Sequence, residues 1–554
     1  MIEAVGRRLA EGGAALASNL RRPDLRRAQL AFGSAYAAEW ALTVALGVVA
    51  FRDGGTTAVG IVALIRMLPS ALVAPFATAV ADRVRRDRVL IWIGVMRATA
   101  VGAAAVVMAV DLSAVFVYLL AVIATIPFTA FRPAHSALLP ALCETPKELT
   151  AANASRGLLD SASTLIGPLL AALLLDVSGP EAVFVLTAGL ALWSAFLVSL
   201  IDYEPAPREA PPAPIRVAAD TAEGLRAIAA QRDVTMLFGL GAVQAVTRGA
   251  LNVFTVVVAI ELLETGEPGV GILTAAVGVG AVVGSLGASV LVGSRRLAAY
   301  TGLGIALWGT PLAMIGVFPS ELLALGMLAI VGAGNALVDL GYFTLFPRLM
   351  PDEVLARVFG ALESLVALAV GLGSIITPLL IHLFGIKGAL VAIGLMTPAV
   401  VALAWSRLAR VDEGLGAQAD IIDRLRQVTM LRPLPVSTIE HLARSVREES
   451  FAPAATVIEQ GQVGDSFYVI VSGEVEVEEN GRPLSLLSDG DCFGEIALLR
   501  DVPRTTTVRA RTRLRLYALD RRHFVPTVSG YSESAAEAAT VVETRLAASA
   551  ARPV

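Results

Sequence analysis

Long apolar runs with almost no charge constrain this 554-residue chain more than any other feature. They recur between about residues 30 and 408, and many have 18 residues or more, which suffices for a helix to cross roughly 30 Å of hydrocarbon. Of all residues, 56% are hydrophobic and 17% are charged, whereas soluble domains carry about a quarter charged residues. The sequence therefore predicts a polytopic α-helical membrane protein. It excludes a disordered chain and an ordinary cytosolic enzyme.

The hydropathy pattern predicts twelve membrane spans. Their approximate positions are 31–51, 57–80, 89–110, 114–131, 157–176, 181–201, 234–262, 269–292, 297–317, 321–345, 355–384 and 386–406. Basic residues concentrate in every second loop, and the loops between hold only Arg52 and Lys387. Because cytoplasmic loops carry the excess of Lys and Arg, both termini are expected in the cytoplasm. We thus expect a multi-pass protein of the cytoplasmic membrane, and the presence of only two lysines, Lys147 and Lys387, beside many arginines indicates a GC-rich bacterial genome.

A Pro/Ala-rich loop divides the predicted spans six and six. The expected organisation is a cytoplasmic segment 1–30, a six-helix bundle 31–201, a cytoplasmic linker 202–233, a second bundle 234–408, a linker 409–420 and a soluble domain 421–554. The bundles echo each other, since STLIGPLLAALLL around Pro168 resembles GSIITPLLIHLF around Pro378. Two related halves are typical of a transporter with a site near the membrane midplane.

A basic loop follows the second predicted span and reads Asp82-Arg83-Val84-Arg85-Arg86. This loop resembles the Gly-x-x-x-Asp-Arg-x-Gly-Arg signature of the major facilitator superfamily, although Thr78 and Arg85 replace its glycines. The resemblance implies a twelve-span 6+6 secondary transporter in which Asp82, Arg83 and Arg86 form a cytoplasmic gate motif. A role in topology alone is the alternative for these residues.

The segment Phe131–Leu170 resembles the drug- and siderophore-exporter branch of that superfamily, including Gly167-Pro168 in the fifth span. This resemblance implies export of a small, amphipathic or drug-like solute. The branch has a further glycine where this chain carries Ala171.

Charged residues inside the predicted spans are candidates for transport chemistry, because a charge at the bilayer centre costs about 2.5–3.5 kcal/mol on insertion scales. These candidates are Glu39, Arg66, Asp160, Arg248, Asp339 and Glu363, and Arg97 also lies within a span. In one interpretation Glu39, Asp339 or Glu363 couples transport to protons, while Arg66 or Arg248 pairs with a substrate or an ion. In the other, these residues form structural pairs or reach toward the membrane surface.

The chain beyond Arg410 has the charged, alternating composition of a soluble domain. Helical patterns over 419–450 precede short alternating segments such as SFYVIVSGEVEVEEN and TTTVRARTRLRLYAL, and helical patterns return over 520–550. Short alternating segments bounded by turn residues predict an antiparallel β-roll.

A glycine before a predicted short helix marks the most informative part of this domain, Gly490-Asp-Cys-Phe-Gly-Glu-Ile-Ala-Leu-Leu499. A helix N-terminus offers unpaired N–H groups to an anion, and Arg504 could add a two-pronged contact. A carboxylate at such a site is useful when it accepts hydrogen bonds from sugar hydroxyls. This pattern suits one phosphate and one ribose.

The stretch closely resembles the phosphate-binding cassette of cyclic-nucleotide-binding domains, with Thr506 where alanine is commoner. The resemblance implies that Glu495 binds the ribose 2′-hydroxyl and Arg504 the cyclic phosphate. It also implies backbone contacts from Gly494, Ile496 and Ala497, with Thr505 and Thr506 beside the phosphate and base. The C-terminal helix is expected to cover the base through Val541, Val542 or Leu546. We expect cAMP rather than cGMP, the alternative being a domain that keeps the fold without a ligand.

No Walker loop or nucleophile elbow is present, so we predict a protein that is not an enzyme and that uses no cofactor. Cys143 and Cys492 are too few for a thiolate metal cluster, and no metal or nucleic-acid partner is expected. The expected partners are the lipid bilayer, a cyclic nucleotide and a small-molecule substrate, with the oligomeric state open. A cyclic-nucleotide-responsive membrane sensor and a lipid translocator are the alternative functions.

Overall fold

The computed structural model describes residues 21–83, 85–203, 217–288, 291, 294–350 and 352–550. The chain forms two compact units, Met1–Val411 and Asp412–Val554. The boundary falls inside the predicted linker 409–420, which is helical in the structure. Residues 1–20 of the N-terminal segment and 204–216 of the Pro/Ala-rich loop lie outside the described residues.

The first unit is helical. In chain order its helices are α1 (Pro23–Arg83), α2 (Arg86–Ala109), α3 (Ala114–Phe128), α4 (Phe131–Leu142), α5 (Pro146–Val177), α6 (Pro180–Ser199), α7 (Val217–Ala230), α8 (Arg232–Val257), α9 (Gly266–Ala288), α10 (Leu297–Val317), α11 (Glu321–Leu349) and α12 (Asp352–Gln427). A π-helical turn, Val258–Leu262, follows α8. Within the described part of the chain, ten helical stretches are long and apolar enough to cross a membrane.

Two of these long helices contain a break in helical geometry. Gly54 and Gly55 depart from helical dihedral angles in α1, with φ of 61° at Gly55. Gly385 does so in α12, with φ of 70°. Glycine adopts positive φ at little cost, so the chain can turn at these points. The breaks lie where the sequence predicts loops between successive spans.

The segment after the fourth predicted span is more helical than the hydropathy pattern indicates. Residues 131–142 form α4, and α5 begins at Pro146 rather than near residue 157. Hydropathy ends early because Arg132 and Arg156 interrupt the apolar runs. Both are accommodated within helices, since Arg132 pairs with Asp160 and Arg156 donates a hydrogen bond to Ser136.

Glycines bring the membrane helices into close contact. A methyl group in place of the Gly278 hydrogen in α9 would lie 2.4 Å from the backbone nitrogen of Leu165 in α5. One at Gly167 in α5 would lie 2.4 Å from the Ala37 carbonyl oxygen in α1. Membrane helices associate largely through such close packing of small residues, so these glycines specify which helices are neighbours.

The second unit combines a β-roll with flanking helices. Its elements are α13 (Val436–Ser445), β1 (Arg447–Phe451), β2 (Thr456–Ile458), β3 (Ser466–Ser472), β4 (Val475–Glu479), β5 (Arg482–Leu487), β6 (Cys492–Phe493), α14 (Glu495–Arg500), β7 (Thr507–Ala510), β8 (Leu514–Asp520), α15 (Arg521–Ser529) and α16 (Ser532–Ala550). The described strands form two antiparallel four-stranded sheets, ordered β1-β8-β3-β6 and β2-β7-β4-β5.

The alternation of side chains along β3 divides the core of this unit into two clusters. Phe467 and Val469 pack in the cluster beneath the helices, and the Phe467 ring stacks on Phe524 of α15 with centroids 4.2 Å apart. Tyr468 and Ile470 pack in the cluster between the sheets. Successive strand residues point to opposite faces, so a single apolar strand serves both clusters. The roll is thereby sealed on its helical side and holds α14 beside β3.

Candidate functional site

The N-terminus of α14 depends on a glycine. Gly494 has φ of 91°, and a methyl group there would lie 2.7 Å from Nη1 of Arg504. An L-residue would therefore be strained and would also displace the guanidinium. Glu495 begins the helix, and the first N–H groups of any helix have no intrahelical acceptor. The turn thus presents backbone donors next to an arginine and a carboxylate.

The Arg504 side chain is held by backbone carbonyl groups. Its Nη1 donates to the Gly494 oxygen at 2.9 Å and its Nη2 to the Ser466 oxygen at 2.7 Å. Asp465 lies 3.7 Å from Nη2, but its side chain is 86% exposed. Burial lowers the pKa of the Arg504 guanidinium, although arginine stays protonated in proteins. The guanidinium is therefore oriented by neutral acceptors and keeps its positive charge for an anion.

Glu495 is buried, with 1% of its surface exposed. Its Oε1 accepts a hydrogen bond from Nη1 of Arg545 in α16 at 2.7 Å, while its Oε2 has no hydrogen-bond partner among the described residues. Burial has the largest single effect on the pKa of Arg545 and lowers it, but the charges of Glu495 and Cys492 and the hydrogen bonds to them together raise that pKa above its ordinary value. A buried acceptor without a donor is costly, so Oε2 is a natural place for a ligand hydroxyl.

A cavity of about 410 Å³ brings these groups together. Its lining comprises Ile458, Val477, Glu479, Leu484, Ser485, Leu487, Phe493, Gly494, Glu495, Ile496, Ala497, Arg504, Thr505, Thr506, Val508, Arg545 and Leu546. All seven predicted nucleotide-site residues are therefore at one cavity. The volume falls within the range of small-molecule sites, about 300–1,000 Å³.

Other residues of this cavity were absent from the sequence analysis. Arg545 and the apolar side chains of β5 lack a local motif, and only packing brings them to the wall. Gly464 does not line the cavity but lies behind it, since a methyl group there would lie 3.2 Å from the Arg504 guanidinium carbon. Of the three predicted covering residues only Leu546 lines the cavity. Val542 is buried and Val541 packs against the core beneath the helices.

In the membrane unit, Glu39 lies between two buried arginines. Its Oε1 accepts from Nη2 of Arg66 at 2.8 Å, and its Oε2 pairs with Arg97. The Nε of Arg66 also donates to Thr125 at 3.1 Å, and the Arg97 guanidinium lies 4.0 Å from the centre of the Phe128 ring. This arrangement joins α1, α2 and α3, and so Glu39 and Arg66 are each engaged in a structural network.

The other candidates form a second charged group. Arg132 pairs with Asp160 and donates to the Tyr36 hydroxyl at 3.2 Å. The charges of Arg132, Asp160, Arg248 and Glu363 all act on Asp339. Residues of α4, α5, α8, α11 and α12 thus meet electrostatically, which the sequence spacing does not show.

The predicted gate motif is described only in part. The side chains of Asp82 and Arg83 lie outside the described residues. Arg86 donates to the Ala137 carbonyl oxygen in α4 at 2.7 Å. This bond joins the start of α2 to α4, and the gating role of these residues stays a prediction.

Comparison with known proteins identifies both units. Residues 30–373 match the Major Facilitator Superfamily, and the chain belongs to that family. Residues 448–530 match the cyclic nucleotide-binding domain. The protein is therefore a major facilitator transporter fused to a C-terminal cyclic-nucleotide-binding domain, and neither family is enzymatic.

The relatives and the solved structure described next are similar to the second unit of this chain. The cAMP-dependent protein kinase regulatory subunit of Yarrowia lipolytica is 38% identical over 102 residues, which cover 18% of this chain and 27% of the relative. The corresponding subunit of Schizosaccharomyces pombe is 37% identical over 101 residues, covering 18% and 24%. A solved structure of cAMP-bound PfPKA-R is 22% identical, covers 24% of this chain and 48% of its own, and has a TM-score of 0.23. This chain spans about a quarter of the length of these curated relatives.

Proposed function

We propose that this protein is a secondary transporter of the cytoplasmic membrane that exports a small, amphipathic or drug-like solute under the control of a cyclic nucleotide. The regulatory ligand is cAMP in preference to cGMP, and it binds the cavity of the second unit. Binding biases the carrier between its conformations through a difference in nucleotide affinity between them.

One observation carries the regulatory part of the proposal. The free Oε2 of Glu495 and the carbonyl-held guanidinium of Arg504 line the same cavity. The first supplies an acceptor for the ribose 2′-hydroxyl, and the second supplies a cation for the cyclic phosphate. In a domain that had lost its ligand, these two buried groups would have no reason to remain, because the unpaired Oε2 is costly to bury and the described residues offer the guanidinium no hydrogen-bonded counter-charge.

The lining supports a purine nucleotide, and similarity supports cAMP in particular. The wall formed by Val477, Leu484, Leu487 and Leu546 is apolar and suits a purine ring. The relatives are named for cAMP dependence and are 37–38% identical across this domain.

The transport part rests on the family and on the helices. We place twelve spans in two groups of six by letting α1 and α12 each cross twice, with turns at Gly55 and Gly385. Both termini are then cytoplasmic by the positive-inside rule. At the non-cytoplasmic end, Arg52 and Glu267 form a two-pronged ion pair between α1 and α9. Export is supported by the exporter-like segment that carries Gly167-Pro168.

The decisive measurement is transport into proteoliposomes with the full-length protein. Fluorescent amphipathic solutes, anionic and cationic, are tested with and without cAMP for the wild type and for Arg504→Ala. We expect cAMP to change the wild-type rate and to leave the variant rate unchanged. Identical rates in all four conditions would remove the regulatory claim. Absence of any solute flux would favour a membrane sensor, and movement of a fluorescent lipid alone would favour a lipid translocator.

A further inference from the structure

We propose that Arg248 forms an anion subsite inside the membrane unit, where it binds the carboxylate of an amphipathic, aromatic solute. The inference rests on the proposed transport function and names the substrate class for it. It concerns a cavity separate from the nucleotide cavity.

A small cavity of about 50 Å³ lies between helices of the two predicted bundles. The first bundle contributes Trp40 and Thr43 from α1. The second contributes Arg248 and Asn252 from α8, with Trp308 from α10. Because both bundles line this cavity, its shape changes when one bundle moves against the other. A transport site must change in this way.

The guanidinium of Arg248 is available to a ligand. No hydrogen bond or ion pair joins it to another residue in the part of the chain that the structure describes. Asp339 acts on it electrostatically, but the Oδ2 of that carboxylate accepts a hydrogen bond from Asn335 at 2.9 Å. By contrast, Arg66 and Arg97 are already paired with Glu39. The Arg248 side chain is exposed, and an arginine of a membrane helix that faces a cavity without a protein partner indicates a ligand of opposite charge.

The rest of the lining also favours an acceptor-rich ligand. No described carboxylate lines the cavity. The Nε1 of Trp308 is buried and has no acceptor among the described residues. The Thr43 hydroxyl donates to its own helix at 2.9 Å, so it does not compete for the guanidinium. The cavity therefore offers donors and a positive charge without an acid, which selects an anion over a cation.

The size of the cavity and its two indoles narrow the class of anion. Liquid water takes about 30 Å³ per molecule, so 50 Å³ admits a group the size of a carboxylate rather than a whole drug. Trp40 and Trp308 both line the cavity, and indole rings suit an adjoining aromatic ring, since aromatic pairs are favourable in offset or edge contacts. The solute thus places its carboxylate at Arg248 and its ring against the tryptophans.

Binding of matched probes to the full-length protein tests the subsite. Benzoate is titrated against its neutral counterpart benzamide and its cationic counterpart benzylamine, with tryptophan fluorescence as the readout. We expect benzoate to bind the wild type at least about tenfold more tightly than either probe, because hydrogen bonds to charged groups are the stronger ones. Arg248→Gln should remove this preference, and Arg248→Lys should retain part of it. Arg232→Gln, on the same helix but exposed and away from the cavity, serves as the control.

The outcomes separate this inference from the transport proposal. Equal binding of benzoate and benzamide to the wild type would overturn the anion subsite, whatever the variants do. An undiminished benzoate preference in Arg248→Gln would overturn it as well. If Arg248→Gln does not fold, the wild-type comparison and Arg248→Lys decide. Benzoate binding without flux of any solute would keep the subsite and remove the transport proposal. Flux of neutral or cationic solutes without benzoate binding would keep the transport proposal and overturn the anion subsite.

Discussion

Glu495 and Arg545 form an ion pair of 2.7 Å that joins the first residue of α14 to the C-terminal helix α16. The pair engages only one carboxylate oxygen, and the other remains free within the buried wall of the cavity. Arg545 thus orients the acceptor that we assign to the ribose. It also connects that acceptor directly to the helix that carries Leu546 to the cavity.

Removing the ribose 2′-hydroxyl from the ligand should weaken binding to the wild type by about tenfold, since a hydrogen bond to a charged group contributes about 1.5–3 kcal/mol. Glu495→Ala should bind cAMP and 2′-deoxy-cAMP equally, because the acceptor is gone. Calorimetry on the full-length protein measures both affinities. The control is Glu478→Ala, whose side chain pairs with Arg509 away from the cavity. Equal discrimination by wild type and Glu495→Ala would contradict the assignment.

Arg545→Met should lower the affinity for cAMP by about tenfold. It leaves the buried Glu495 without its positive partner, and the loss of a partner in a buried pair costs several kcal/mol. The effect is expected to be smaller here because the Arg545 side chain is 31% exposed. Calorimetric titration provides the affinity. Arg522→Met, on the exposed side of α15, should bind like the wild type, and an unchanged affinity in Arg545→Met would show that the pair does not position Glu495.

Arg504→Ala should abolish measurable cAMP binding, a loss of about a hundredfold or more, since it removes the cation for the phosphate. Arg509→Ala is the matched control. It replaces an arginine five residues further on, which is half exposed and pairs with Glu478. Titration of both variants with cAMP compares them. Retention of near-wild-type affinity in Arg504→Ala would place the phosphate elsewhere.

Stability of the second unit should fall at alkaline pH because of Cys492. Burial, reinforced by Glu495, raises the pKa of this thiol to about 12. A thiol in the unfolded chain ionises near pH 8.5, so below that pH both states keep the proton and stability is unaffected. Between about pH 8.5 and 12 only the unfolded chain loses it, and the free energy of unfolding decreases by up to about 1.4 kcal/mol per pH unit. Scanning calorimetry at pH 8 and pH 10 measures the change.

The matched variant for this pH effect is Cys492→Ala. It should show a smaller decrease of the unfolding temperature between pH 8 and pH 10 than the wild type, because it lacks the titrating thiol. Identical decreases in both proteins would mean that Cys492 does not contribute.

Glu39→Gln should destabilise the membrane unit by about 3–5 kcal/mol, because it leaves two buried arginines without a counter-charge. Arg248→Gln should leave the unfolding temperature unchanged, since the described residues offer its side chain no hydrogen bond. Thermal unfolding in the same detergent compares the two. If Glu39→Gln unfolds like the wild type but loses proton-dependent transport, Glu39 is a coupling carboxylate rather than a structural one.

Local sequence patterns determined the class of each unit. The apolar runs required membrane helices, because no other segment satisfies its backbone within a bilayer of that thickness, and alternation over residues 466–479 predicted strands that the structure contains. The cavity residues from Gly494 to Thr506 could also be predicted, because the cassette that they resemble lies within one short stretch of sequence.

The tertiary structure decided which distant side chains meet. Arg545 lies 50 residues from Glu495, and Arg97 lies 58 residues from Glu39. The hydropathy pattern did not predict α4, because a charged residue lowers the hydropathy of a candidate span. In the structure the charge of Arg132 is paired with Asp160. Sequence spacing carries information over one or two helical turns, but these contacts depend on how whole helices pack. Which charges are satisfied, and which remain available to a ligand, is therefore a property of the assembled fold.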